Sequence, residues 1–227
     1  KRLEKAFDRF VDIRTLSTLD AATKIHQDEI DILVDLTGFT QTSRSHIVAL
    51  RPAPINVSWL GFPGTMGDLD GKPLFDYIIS DGFITPPTKA NAYSEKLALL
   101  PNTYQPNDTK RPIGEIKNRL EYGLPESGFV FCCFNQTFKI LPEVFDCWMR
   151  LLKQTPNSVL WLLECNQWAK INLIREAETQ GVNKERLIFA PRVNMAEHLA
   201  RQTCADLFLD TLPYNAHTTT SDALWMG

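Results

Sequence analysis

Apolar positions along the chain recur with two different periods, and their alternation predicts a mixed α/β fold. In the second half, apolar runs short enough to be strands occur at 129–134, 159–163, 187–190 and 207–209. Between these runs, apolar residues recur at the spacing of a helix that buries one face. Strands that alternate with amphipathic helices are typical of a parallel sheet, because each helix carries the chain back to the starting edge.

The clearest predicted helix begins at Pro142, since proline suits the first helical position. Its buried face is predicted from residues at helical spacing, namely Val144, Phe145, Trp148, Leu151 and Leu152. Further helices are predicted to end near Gly181, to begin at Asn194 and to follow the strand at 207–209. The second half thus has the βα order of a Rossmann-like domain.

The first half alternates less regularly. We expect an amphipathic helical start, a buried strand at 31–36, a short helix at 46–50 and strands at 55–60 and 77–79. Prolines at 101, 106 and 112 then interrupt any regular element. This break predicts a first domain at 1–105, a linker at 106–120 and a second domain at 121–227.

Composition narrows the class of protein. The 227 residues are 44% hydrophobic with a net charge of −3, which indicates a globular protein without the cationic surface that nucleic acid requires. No apolar run is long enough to cross a membrane, so we expect no membrane partner. Five cysteines without a CxxC spacing indicate reduced thiols and a cytoplasmic protein. The chain starts without Met and stops within a helical pattern, so we expect it to be a piece of a longer protein.

The last segment carries the strongest chemical signal. The strand at 207–209 leads through a turn into His217-Thr218-Thr219-Thr220-Ser221-Asp222, which opens a predicted helix. Free backbone N–H groups at a helix N-terminus attract phosphate, and hydroxyls add further donors. The alternative is that these hydroxyls only cap the helix. The segment predicts a site for a nucleotide phosphate.

Two other loops are expected at the same edge, because parallel strands place their carboxyl ends together. Gln136 and Lys139 follow the strand at 129–134 and supply an amide and an ammonium. His198 and Arg201 lie one turn apart on the helix that begins at Asn194, where they could embrace a flat base such as uracil. A solvated helix face is the alternative. Asp222 is predicted either to accept hydrogen bonds from ribose hydroxyls or to interact with the positive end of the helix dipole.

Other familiar motifs are absent from the sequence. There is no GxGxxG or GxxxxGK[ST] motif, and neither a catalytic triad nor a metal-ligand spacing occurs, so no metal site is predicted. The glycine-bearing loop at 61–67 is predicted either to bring backbone close to a ligand or to form a tight turn. His26 stands alone, and a lone histidine is more often structural than functional, so by itself it is interpreted as a structural residue.

Several motifs occur in an order that identifies a family. They are Leu50-Arg51-Pro52-Ala53-Pro54-Ile55, Trp59-Leu60-Gly61-Phe62-Pro63-Gly64-Thr65, Tyr93-Ser94-Glu95-Lys96-Leu97, Phe134-Asn135-Gln136 with Lys139, Pro156-Asn157-Ser158-Val159-Leu160-Trp161-Leu162-Leu163 and His217-Thr218-Thr219. Together they resemble the catalytic region of bacterial-type O-linked N-acetylglucosamine transferases, over about residues 25–227. The resemblance implies a GT-B glycosyltransferase, with two Rossmann-like domains facing a cleft and both incomplete here, and with tetratricopeptide repeats outside this chain.

The resemblance also implies a reaction and its residues. N-acetylglucosamine would pass from UDP-GlcNAc to Ser or Thr hydroxyls of a protein acceptor, with inversion and with neither a metal nor a cofactor beyond the donor. The implied diphosphate contacts are Gln136, Lys139, His217, Thr218 and Thr219. Asp222 would contact the ribose, and His198 and Arg201 the uracil. Leu60 and Gly61 would lie near the sugar and acceptor, and His26 would line the active site. Lys139 is the expected catalytic group, because an ammonium stabilises the charge that gathers on departing UDP.

Three alternatives remain at this point. A Spindly-type O-fucosyltransferase would use GDP-fucose instead of UDP-GlcNAc. An enzyme that isomerises the sugar of UDP-GlcNAc would need catalytic carboxylates, which the sequence does not reveal. A scaffold that binds nucleotide sugar without catalysis is the third.

Overall fold

A computed structural model describes residues 3–227, which form two compact units. The first unit ends at Pro106 and the second runs over Asn107–Gly227. Residues 107–120, predicted as a linker, group with the second unit in this division. Each unit contains its own parallel four-stranded sheet.

The first unit has the strand order β1-β2-β5-β6 and a separate β3-β4 hairpin. Its helices are α1 (Thr18–Gln27) and α2 (His46–Ala49), and its strands are β1 (Ile32–Asp35), β2 (Ile55–Trp59), β3 (Asp68–Leu69), β4 (Lys72–Pro73), β5 (Tyr77–Asp81) and β6 (Lys96–Leu100). The predicted strands at 55–60 and 77–79 and the helix at 46–50 are confirmed. Helix α1, strand β6 and the hairpin were not predicted from the sequence.

Two expectations for this unit were wrong. The described part of the chain begins with a single 3₁₀ turn at Leu3–Lys5 rather than an amphipathic helix, and Phe7 and Phe10 are exposed. Strand β1 was expected to be buried, yet Ile32 and Val34 are exposed. The reason is that β1 is the outer strand and packs only its other face, through Leu33, on a small core cluster.

The second unit has the strand order β10-β7-β8-β9, with all pairs parallel. Its strands are β7 (Phe129–Cys133), β8 (Ser158–Leu163), β9 (Leu187–Ala190) and β10 (Leu207–Phe208), and its helices are α3 (Pro142–Gln154), α4 (Gln167–Thr179), α5 (Met195–Gln202) and α6 (Thr218–Met226). The predicted βα order is confirmed throughout this unit. Proline stands at the first positions of α3, and the side chain of Asn194 caps α5 by accepting from the Glu197 amide at 3.0 Å.

Both faces of the second sheet are buried, because successive strand residues point to opposite sides. Phe131, Leu160 and Leu162 pack on the apolar face of α3. Val130 and Trp161 pack on the opposite side, near Cys204. A sheet covered on both faces exposes its chemistry only where strands end, and its carboxyl ends carry the candidate site.

Among residues 3–227, none of the helices combines the length and the apolar character needed to cross a membrane.

Candidate functional site

Three loops meet at the carboxyl edge of the second sheet. Asn135, which follows β7, donates through Nδ2 to Thr211 Oγ1 at 2.8 Å in the loop after β10. Its Oδ1 accepts the hydroxyl of Thr219 in the first turn of α6. Gln136 Oε1 accepts from Arg192, in the loop after β9, at 3.1 Å. The predicted convergence of these loops is therefore observed, and the buried Asn135 amide is the link between two of them.

Lys139 lies between the loop after β7 and the loop before α6. Its ammonium donates to the carbonyl of Asn215 at 2.9 Å and lies 3.9 Å from the centre of the Tyr214 ring. Burial lowers the pKa of this group, and the negative charge of Asp210 partly opposes that effect. A lysine has three N–H donors, so one bond to Asn215 leaves donors for an anion.

The first turn of α6 carries the predicted hydroxyl residues. His217 occupies the N-cap position, and its side chain forms no capping hydrogen bond. The N-cap residue is therefore the histidine and not one of the hydroxyl residues. Thr218 is exposed, and Thr219 directs its hydroxyl to Asn135. The first N–H groups of a helix have no acceptor within the helix, so an anion at this end would meet backbone donors. Burial and the charge of Lys139 lower the pKa of His217.

His198 and Arg201 are neighbours, but only His198 lies at the surface of the site. Arg201 is 2% exposed, and its guanidinium lies 4.4 Å from the centre of the Phe134 ring. It donates through Nη1 to the carbonyl of Pro191 at 2.8 Å. Arg201 is therefore not part of a solvated helix face, because it is buried against Phe134 and His198. The contact of both residues with a base stays a prediction.

Both ring nitrogens of His198 have neighbours. Arg201 Nη2 lies 2.8 Å from Nδ1, and a guanidinium can only donate, so Nδ1 accepts. Nε2 of the ring lies 3.3 Å from Nε2 of Gln202. Burial lowers the pKa of His198, the Arg201 charge lowers it further, and Asp222 opposes them. His198 therefore presents a neutral ring, whose Nε2 lies 3.8 Å from Asp222 Oδ2.

Asp222 is buried, 3% exposed, and pairs with an arginine that the sequence analysis did not single out. Arg111 donates through Nη1 to Asp222 Oδ1. This pair could not be predicted from the sequence, because Arg111 lies in a proline-rich stretch interpreted as a linker, 111 positions before its partner. Asp210 was also missed as a scaffold residue, although it accepts from Thr211 and Ala216 backbone amides at 2.7 Å each.

In the first unit, Leu60 and Gly61 follow the carboxyl end of β2. A Cβ on Gly61 would lie 2.4 Å from the Leu36 carbonyl oxygen, so this loop touches the loop after β1. The buried carboxylate of Glu95 holds the loop: it accepts from Met66 N at 2.6 Å and from Thr65 Oγ1 at 2.7 Å. The role of Glu95 was not recognised from the sequence, although the residue lies in a quoted motif.

His26 is not brought together with Leu60 and Gly61. It lies in the last turn of α1 and lines a cleft with Asp31 and Pro54, at the amino ends of β1 and β2. Helix α1 runs opposite to β1, so its C-terminus must lie at the amino edge of the sheet, whereas Leu60 is at the carboxyl edge. The expected position of His26 in the active site is therefore corrected.

Within residues 3–227, no cluster of His, Cys, Asp and Glu side chains has the arrangement of a metal site. Lys139, the N-terminus of α6 and Arg111 are the positive groups around which the site is built. Such a site is suited to a phosphorylated ligand with a ring that stacks on His198.

Comparison with known proteins identifies the family. The profile of glycosyl transferase family 41 matches residues 1–120 and 113–227. The chain is 40% identical to the probable UDP-N-acetylglucosamine–peptide N-acetylglucosaminyltransferase SEC of Arabidopsis thaliana, with 100% of the chain and 23% of that protein covered. It is also 32% identical to the probable UDP-N-acetylglucosamine–peptide N-acetylglucosaminyltransferase SPINDLY of Solanum lycopersicum. That match covers 95% of the chain and 23% of the relative.

A solved structure, of a mutant of Thermobaculum terrenum O-GlcNAc transferase, superposes with a TM-score of 0.87 and 33% identity. This match covers 99% of the chain and 42% of the solved one, so the chain spans less than half the length of these relatives. The matched residues include the sheets of both units and the loops that follow their strands. The chain therefore belongs to glycosyl transferase family 41.

Proposed function

We propose that the protein transfers N-acetylglucosamine from UDP-GlcNAc to Ser or Thr hydroxyls of an acceptor protein, with inversion and without a metal. The names of the Arabidopsis and Thermobaculum relatives support this donor and this kind of acceptor. The second sheet would bind the nucleotide, and Leu60 and Gly61 would lie near the sugar and acceptor. Five free thiols favour the cytoplasm as its location.

One observation carries the proposal. An ammonium, an uncapped helix N-terminus and a neutral imidazole lie on adjoining loops of one sheet edge, contributed by Lys139, α6 and His198. A diphosphate between Lys139 and α6 would have its uridine directed towards His198 and Asp222. Gln136 would add a donor, because its Oε1 is already bound by Arg192 and its amide nitrogen is left to face the ligand.

Lys139 would act on the leaving group. As the bond between the anomeric carbon and the diphosphate breaks, negative charge grows on UDP, and an ammonium held by Asn215 and Tyr214 interacts with it more strongly. Because this interaction strengthens during the reaction, it lowers the barrier as well as aiding donor binding. Thr218 and the α6 backbone would stabilise the same charge.

The second candidate is transfer of fucose from GDP-fucose. This candidate rests on the resemblance to Spindly-type enzymes; the relative named SPINDLY, 32% identical over 95% of the chain, is itself named as an N-acetylglucosaminyltransferase. The resemblance also implies that Spindly-type enzymes differ at the positions of His217 and Asp222, which favours the uridine donor. A scaffold that binds nucleotide sugar without transferring it would have the same nucleotide-binding residues.

The deciding experiment measures thermal shifts of the full-length protein with UDP-GlcNAc and with GDP-fucose, followed by transfer of labelled sugar to a cytoplasmic extract. We expect stabilisation by the uridine donor and label on Ser or Thr. Stabilisation by the guanine nucleotide alone would overturn the donor, and binding without transfer would favour the scaffold.

A further inference from the structure

We propose that Arg111 is a positioning residue for the nucleotide: it holds the Asp222 carboxylate in the orientation that accepts hydrogen bonds from the ribose. The inference rests on the proposed function, in which Asp222 contacts the ribose. Neither the motifs nor the expected ligand contacts include Arg111.

The pair is largely removed from water. The side chain of Arg111 is 13% exposed and that of Asp222 is 4% exposed. Arg111 Nη1 donates to Oδ1, which leaves Oδ2 as the acceptor on the side of His198, 3.8 Å from its Nε2. The carboxylate is thereby held between a permanent cation and the neutral ring proposed to meet the base.

Arg111 is itself held by the segment that carries it. Asn107, four residues earlier, accepts the hydroxyl of Ser221 on α6, and the Arg111 guanidinium lies 5.0 Å from the centre of the Trp225 ring. Three residues later, Gly114 donates its amide to the carbonyl of Ala196 on α5 at 2.9 Å. A Cβ on Gly114 would lie 3.1 Å from that carbonyl, which is closer than ordinary van der Waals contact, so the glycine makes room for this approach. The segment therefore crosses both helices that carry the proposed nucleotide contacts.

The contact is a poor device for stability alone. Arg111 Nε and Nη2 are buried and have no hydrogen-bond partner among the described residues. Burying a guanidinium with unpaired donors costs free energy, and buried ion pairs seldom repay their desolvation. A device for holding a carboxylate accounts for the arrangement better than added stability does, because a planar guanidinium fixes the direction of its partner.

The test compares UDP with inorganic pyrophosphate as ligands of the full-length protein by calorimetry. Arg111→Ala should weaken UDP binding about tenfold or more, as expected for loss of an oriented charged hydrogen bond. Pyrophosphate binding should stay within about twofold, because Lys139 and the α6 N-terminus are untouched. In an Asp222→Asn background, Arg111→Ala should have little further effect on UDP, since both changes remove the same contact.

Arg119→Ala is the matched control. Arg119 lies eight residues after Arg111, is also partly buried and pairs with Asp206 at 2.7 Å. Asp206, however, lies at the amino ends of the strands, where it accepts from Val130 N. This variant should lose stability and keep its UDP affinity. Arg111→Lys keeps the charge without the planar fork and should weaken UDP binding severalfold. It decides the question if Arg111→Ala does not fold.

Unchanged UDP affinity in both Arg111 variants would overturn the inference, as would equal losses for UDP and pyrophosphate. Absence of UDP binding by the unmodified protein would instead overturn the proposed function. The two failures are thus distinguished by the unmodified protein.

Discussion

At the scale of single residues, Lys139 depends on its neighbours for both position and charge. The carbonyl of Asn215 and the ring of Tyr214 hold the ammonium, and Asp210 partly offsets the effect of burial on its pKa. The lysine is therefore set before a ligand arrives, which reduces the reorganisation needed during reaction.

Lys139→Ala should lower kcat at least about 100-fold, the usual effect of deleting one group that stabilises developing charge. The fold should remain intact, because the side chain is only partly buried. Steady-state transfer rates and circular dichroism check both points. Lys96→Ala is the control, since Lys96 also lies over an aromatic ring, Tyr77, but in the first unit. Undiminished transfer by Lys139→Ala would contradict the mechanism.

The protonation of His198 yields a second prediction. Its pKa lies below the ordinary value of 6.5, because burial and Arg201 disfavour the imidazolium. As the pH falls below 6.5, His198 takes up a proton in the unfolded chain before it does so in the folded protein. The free energy of unfolding therefore decreases from pH 6.5 down to the pKa of His198 in the folded protein, and His198 lowers it no further below that pKa.

Proton NMR of the His198 ring measures this directly, with His198→Ala assigning the signal. Asp222→Asn should lower the midpoint further, because the carboxylate favours the charged ring. A midpoint at or above 6.5 in the unmodified protein would contradict the arrangement.

The sequence identified Lys139, Gln136, His198 and the α6 N-terminus as neighbours because strand ends of a parallel sheet must meet at one edge. It could not reveal that Arg201 is buried, since helical spacing does not distinguish the ring that faces solvent from the guanidinium beneath it. The Arg111–Asp222 contact was equally hidden, because no local pattern joins residues so far apart.

At the scale of elements, the loop at 61–67 depends on two devices. Glu95 holds Thr65 and Met66, and Gly61 allows close approach to the carbonyls of Leu36 and Thr37. A buried carboxylate that accepts two hydrogen bonds limits the freedom of a glycine-containing loop. The loop is therefore held in a defined conformation.

Gly61→Ala should destabilise the protein by about 1–3 kcal/mol, because the new methyl group would overlap backbone atoms that cannot move independently. Gly82→Ala, where a Cβ meets nothing within 4 Å, is the matched control and should be nearly neutral. Urea unfolding compares the two variants. Equal stabilities would show that the two loops do not depend on their close contact.

Elements of the second unit were predicted better than those of the first, for a physical reason. Strands β7 and β8 are buried on both faces and read as continuous apolar runs, and α3 carries a clear apolar face. In the first unit, β1 is exposed on one side and β6 mixes half-buried and exposed positions. The patterns of half-covered strands at a sheet edge are weaker, so β6 and the hairpin were missed.

At the scale of the whole molecule, the division into two sheets separates two kinds of proposed contact. The nucleotide contacts all belong to the second unit, whereas Leu60 and Gly61 belong to the first. UDP lacks the sugar, so its effects should be confined to the second unit. UDP-GlcNAc also carries the sugar, whose proposed contacts are Leu60 and Gly61.

Hydrogen exchange of the full-length protein checks this separation. UDP should slow exchange at residues 135–139, in α5 and in the first turn of α6, because bound regions open less often. UDP-GlcNAc should add protection at 60–67. Protection at 60–67 by UDP alone, or none there with the complete donor, would contradict the proposed position of the sugar.

The unequal burial of the thiols has a practical consequence for labelling. Burial raises the pKa of Cys132 and of Cys133 to about 12, whereas Cys147 is exposed on α3. Maleimides react with thiolates, so at neutral pH a fluorophore should attach first at Cys147 and leave the two sheet thiols unmodified. Peptide mass mapping would locate the dye, and the labelled helix would report rotational motion of the second unit without altering any proposed ligand contact.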